Sequence, residues 1–394
     1  MTKSTNQFTQ NKKDCGKVFY EELYSFNERL VVLEKRNISI DFIKIISMFM
    51  IIILHLSYKG GLISGAKMNS INYYSFYFIL IICFIAVNLF AAVSGYLMIH
   101  SKWKLKNLIS LWLTVIFYSY LILFIGKFIL GFDINTALMV DSLFPMSRNI
   151  YWYFSAYVGL YLLIPLINLG IKGLTKQQMK IGLFIIFILG TISTIFKSNP
   201  FGLDLGYSAL WLACMYFVGA YIRLHMDTNN LKVSSLVIKY LFSIFALFGV
   251  VLLTSYANVH FFTRARDVTW FIKYASPFVY VSSIYFFLLA LKIPFKNPKI
   301  NKLILFLSPL TFSVYLLHTH PIIFENLFDH MASKFSNYPL FLAIGIELML
   351  ALVIYLSCSF IDFGRSKLFK LLKINLLSEK IAAGLTNLTK GIIK

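Results

Sequence analysis

Apolar runs of about twenty residues recur almost without pause between Ile38 and Phe360, and no other feature limits the possible folds so strongly. A helix of that length rises about 30 Å, the thickness of a bilayer's hydrocarbon core. A soluble domain cannot hide them all: 59% of the 394 residues are hydrophobic and 13% are charged, against about a quarter charged in ordinary globular domains. Soluble enzymes, disordered chains and coiled coils are therefore excluded. In lipid the backbone must satisfy its own polar groups, so the expected fold is all-α, a polytopic membrane bundle of about ten transmembrane helices. The spans are expected at 38–57, 72–99, 107–130, 150–170, 181–196, 207–223, 234–256, 270–292, 303–327 and 337–361, with the fifth short and the second and ninth long.

The net charge of +21, from 37 Lys+Arg against 16 Asp+Glu, would suggest nucleic acid in a soluble protein. Here the cations sit in short clusters between apolar runs, where they set topology, so the expected partner is the bilayer and not nucleic acid. With the N-terminus inside, the inner segments hold 27 Lys/Arg and the outer loops 9. That threefold excess predicts both termini in the cytoplasm. Residues 1–37 read as a cytoplasmic lead-in without a signal-peptide pattern, with a short amphipathic piece around Phe19–Leu33. Residues 38–362 form the membrane domain and 363–394 a cytoplasmic tail. Cys15, Cys83, Cys214 and Cys358 show no metal or redox spacing. No internal repeat is visible, and Pro165, Pro277, Pro309 and Pro321 do not recur at matching places in two halves, which weighs against an inverted-repeat transporter.

Ionisable side chains inside spans cost free energy and call for a reason. In the first span Asp41 and Lys44 are three residues apart, close enough to pair on one helix face. Lys44 and His55 are eleven apart, so they share a face about 16 Å apart along the axis. They read either as interfacial anchors or as one functional polar stripe. In the ninth span His318 shares a face with Tyr315, while His320, before Pro321, reads as a water-exposed helix end. No carboxylate cluster supports a metal at these histidines. The aromatic start of the fourth span, Tyr151 to Tyr157 with Trp152, suits an interfacial belt and would also suit a sugar-stacking wall. Arg264 and Arg266, with His260, Phe261 and Phe262, lie in an outer loop against the general charge bias. Glu347, deep in the tenth span, needs a partner, with a cation on another helix the expected one. On the inner side Lys102, Lys104 and Lys106 alternate with Trp103 and Leu105, as at a lipid interface or around the phosphates of a nucleotide cofactor.

Taken together, Asp41, Lys44 and His55, the Phe90/Ser94-Gly95-Tyr96 end of the second span, the Trp152–Pro165 stretch and Phe312-Ser313-Val314-Tyr315-Leu316-Leu317-His318 resemble the acyltransferase 3 family of bacterial membrane proteins over about residues 36–362. Lys44 stands where Arg is commoner. The resemblance implies transfer of an acyl group, most often acetyl from cytoplasmic acetyl-CoA, to an envelope glycan or its lipid-linked precursor, in the bacterial cytoplasmic membrane. It implies functional roles for Lys44 and His55, with Asp41 holding Lys44. Under that reading Lys44, Ser94, Lys102, Lys104 and Lys106 are the expected donor contacts, and Trp152, Tyr315, His318, Arg264 and Arg266 the expected acceptor contacts. No permanently bound cofactor or metal is expected. The rival readings are a glycan or lipid-intermediate transporter without chemistry, or a succinyl-type acyltransferase of the same fold.

Overall fold

The computed structural model describes residues 37–261 and 263–392, so the amphipathic piece around 19–33, Cys15 and Phe262 lie outside the described residues. Helices account for all regular structure there, with no strand among the described residues. The first span is α1 (Ile38–Tyr58). The second is two helices, α2 (Ile71–Cys83) and α3 (Ala86–Met98), joined at Phe84–Ile85. Then come α4 (Leu105–Phe128), α5 (Trp152–Lys172), α6 (Lys176–Phe196), α7 (Ala209–His225), α8 (Val233–His260) and α9 (Pro277–Leu291). The ninth span is α10 (Pro298–Leu307) and α11 (Thr311–Thr319), and the tenth begins α12 (Leu340–Leu371). Among the described residues eight spans are long and apolar enough to cross a bilayer, while α7 and α9 are shorter apolar helices. All ten expected segments are thus helical, with shifted ends.

The shifts have local causes. The fifth span is not short: Thr175 and Gln178 form a capping box that starts α6 at Lys176 and gives it 21 residues. The ninth span does not reach residue 327. Pro321 biases His320 to an extended backbone (ψ 134°), which ends α11 one residue earlier and leaves His318 in its last turn. The described segment from residue 363 onward is largely helical. Helix α12 continues to Leu371 and is followed by α13 (Ile374–Ile392), which packs on α4.

Two glycines set the tightest crossing in the bundle. A Cβ on Gly95 of α3 would lie 1.9 Å from the Tyr216 carbonyl oxygen, and one on Gly219 of α7 would lie 1.8 Å from that of Ala92. The two backbones therefore touch, as small residues permit in membranes. Buried Asn88 fastens the same region. Its Nδ2 donates to the Tyr274 carbonyl (3.0 Å) and Ser283 Oγ (3.2 Å), and its Oδ1 accepts from Trp211 Nε1 (2.8 Å).

Helix α5 contains Pro165, which lacks the N–H that would bond the carbonyl four residues back. That carbonyl belongs to Tyr161, and Trp103 Nε1 donates to it at 2.9 Å. The Tyr161 hydroxyl returns a bond to the Lys104 carbonyl at 2.9 Å. A helix defect is thereby repaired by the inner loop, and the Lys102–Lys106 turn is fixed against α5.

Candidate active site

One face of α1 carries Lys44, Met48, Ile51 and His55, spaced by whole turns, and all four line a single cavity of about 910 Å³ including its open mouth. Helix α3 contributes Phe90 and Ser94, α5 contributes Trp152, Tyr153 and Tyr157, and α11 contributes Thr311 and Tyr315. The Lys/Arg excess assigns one side of the bundle, its inner side, to the cytoplasm. The inner end holds Lys44 and the outer end holds His55.

At the inner end Lys44 Nζ is 3.0 Å from Asp41 Oδ1. The Asp41 side chain is almost fully buried, and its Oδ1 also accepts from Ser308 Oγ at 2.6 Å. Ser308 is placed there because Pro309 breaks the ninth span into a tight turn over Ser308–Leu310. The carboxylate thus holds Lys44 while leaving its ammonium two further protons to donate. Ser94 Oγ donates to the Phe90 carbonyl at 3.1 Å.

At the outer end His55 Nδ1 lies 3.0 Å from His318 Nε2. His318 is buried, and its Nδ1 lies 2.6 Å from the Val314 carbonyl. Phe324 meets the His55 ring edge-on at 5.1 Å, and Phe328 lies 6.0 Å from the His318 ring. Both come from the short π-helical segment Phe324–Phe328 that follows Pro321. The side of the cavity formed by α5 is rich in aromatic rings. Tyr153, Tyr157 and Tyr161 follow one another at 6.2 Å on successive turns of α5. Trp152 stacks on Tyr274 at 5.9 Å and meets Tyr207 at 4.8 Å. Tyr315 accepts a bond from the Tyr153 N–H (3.3 Å), one of the donors that a helix N-terminus leaves free.

The cavity gathers Lys44, Ser94, His55, Trp152 and Tyr315, with Asp41 and His318 directly behind it. It does not gather the remaining candidates. Lys104 and Lys106 line a separate shallow groove against α13, and Lys106 Nζ is 2.6 Å from Glu379. That bond holds the Glu379 carboxyl below its ordinary range, so the contact is present at neutral pH and lost on acidification. Lys102 is exposed beside it. Arg264 and Arg266 line a distinct outer depression with Trp270, whose ring lies 4.0 Å below Lys197 Nζ.

Two expectations are corrected. His320 is fully buried, not a water-exposed helix end, and its Nδ1 accepts the Ile322 N–H at 3.3 Å. Glu347 pairs with no cation among the described residues; it accepts from Ser57 Oγ at 2.7 Å. Among the described residues no group of three His, Cys, Asp or Glu could hold a metal. Sequence reasoning did not assign Ser308 or Tyr274 to the site. Pro309 is the local signal that could have marked Ser308, whereas nothing local marks Tyr274.

The helices and cavity define a polytopic membrane protein with a cavity between its spans, a cation at one end and paired imidazoles at the other. The acyltransferase 3 family model, an acyltransferase domain, matches residues 37–358. The chain belongs to that family and is a membrane acyltransferase. No curated protein and no solved structure is matched by it.

Proposed function

We propose that the protein is an O-acetyltransferase of the bacterial cytoplasmic membrane. It moves acetyl from cytoplasmic acetyl-CoA to a hydroxyl of a cell-envelope or exported polysaccharide, or of its lipid-linked precursor. The observation that carries this reading is the single cavity lined by both Lys44 and His55. Lys44 receives the donor's phosphates at the inner mouth, an interaction that an ammonium makes as a point charge. The Lys102–Lys106 turn adds to the positive potential that draws in a polyanion. The slender pantetheine arm then runs between α1 and α5 toward His55. The acceptor sugar packs on the aromatic wall around Trp152.

The chemistry balances without a metal or covalent intermediate. His55 takes the acceptor hydroxyl proton as the oxygen attacks the thioester carbonyl. The O–C bond forms and the C–S bond breaks. The departing thiolate takes the proton from His55 and leaves as free CoA. Tyr315 keeps its own hydroxyl proton while accepting from Tyr153, so it is the donor for the developing oxyanion. The test is acetyl-CoA consumption by the purified protein together with mass spectrometry of surface glycans from cells with and without the gene. We expect turnover of acetyl-CoA and loss, in the deletion, of the mass of one acetyl group per modified residue. Movement of a glycan that is indifferent to acetyl-CoA would instead favour a transporter.

A further inference from the structure

We propose that His318 is a positioning residue that fixes the tautomer and orientation of His55, and that it does not contact the acceptor. This rests on the reading of His55 as the base. The assignment follows from counting donors. A carbonyl oxygen only accepts, so the 2.6 Å contact to Val314 requires a proton on His318 Nδ1. Val314 stands four residues before His318 in α11, and its oxygen has a second lone pair beyond the one used by the helix. In a neutral His318 ring, Nε2 is then a pure acceptor. The only hydrogen that can fill the 3.0 Å contact with neutral His55 belongs to His55 Nδ1. His55 is left with Nε2 unprotonated, the state a general base needs.

His320, two residues later, shows that this tautomer is imposed locally. There Nδ1 accepts the Ile322 N–H, so a neutral His320 ring carries its proton on Nε2 instead. The packing of Phe324 on His55 and Phe328 on both rings keeps competing water from the His55–His318 contact. When His55 takes the hydroxyl proton, its Nδ1–H becomes a charge-assisted donor to His318 Nε2 and strengthens at the moment of attack. His318 itself neither gains nor loses a proton through the cycle. Its part parallels that of the groups that orient a catalytic imidazole in triads.

The test compares His318→Leu, His318→Gln and His55→Ala in membrane vesicles containing the native glycan, with labelled acetyl-CoA as the probe and rates normalised to folded, inserted protein. Gln places an amide oxygen near the position of the lost Nε2, whereas Leu fills the space with no acceptor. We expect His318→Leu to lower kcat about 100-fold with KM for acetyl-CoA little changed, the scale of a lost general-base contribution. We expect His318→Gln to recover most of that loss. Equal losses in Leu and Gln, or a normal rate in Leu while His55→Ala is inactive, would overturn the positioning role alone. A normal rate in His55→Ala would overturn the underlying assignment of the base.

Discussion

His55→Ala is expected to lower acetyl transfer by roughly 10²- to 10⁴-fold, the range that a positioned general base contributes. The loss should fall on kcat. His55 lies at the far end of the cavity from Lys44, where the donor is expected to enter, so acetyl-CoA affinity should change little. A fall in kcat and kcat/KM by the same factor marks an interaction made only in the transition state. Lys44→Ala should give the opposite pattern, with KM for acetyl-CoA raised more than kcat is lowered, because the proposed mechanism has its ammonium receive the donor. The two variants therefore separate the ends of the passage kinetically. Equal effects of both on KM would contradict the division of labour.

The second large effect is structural. Gly95→Val is expected to yield no stably folded protein. Even the Cβ of an alanine would lie 1.9 Å from the Tyr216 carbonyl oxygen and 2.7 Å from its carbon. Real packing does not allow such contacts, so α3 and α7 would have to part by more than an ångström. Overfilling a packed interface by a methyl group alone costs about 1–3 kcal/mol. Here the separation would also disturb the Asn88–Trp211 bond, and it would move Phe90 and Ser94 away from the cavity. Gly219→Val meets Ala92 in the same way and should behave alike. Size-exclusion profiles and thermal melts in detergent check this. A monodisperse Gly95→Val protein melting at the parental temperature would show that the helices do not cross as described.

Much of this arrangement was legible in the chain itself, because the relevant relations were local. The eleven-residue interval from Lys44 to His55 and the three-residue interval from Asp41 to Lys44 each lie within one helix, where spacing fixes the shared face. The apolar runs announced the spans for the same reason. What escaped prediction depended on contacts between segments far apart in sequence. His55 and His318 are 263 residues apart, and no periodicity can announce a bond of that kind. Burial of His320 was missed because a histidine before a proline looks like a helix end, and the turn that covers it was not visible. The partner of Glu347 proved to be a serine hydroxyl on α1, since a buried carboxyl needs a donor rather than a cation in particular. Helix α13 was overlooked because its apolar residues are too sparse to suggest a span. They fit an amphipathic helix lying against α4 instead.

In the proposed mechanism the donor's arm occupies the passage between Lys44 and His55. Ile51 lies between them on the same face of α1 and lines the cavity. Ile51→Trp should close the passage without touching either end. The decisive measurement is acetyl-CoA turnover by purified Ile51→Trp protein, per mole of protein shown by its melting curve to be folded. A loss of about 100-fold or more, comparable to removing the base itself, is the predicted result. Undiminished turnover would contradict the account.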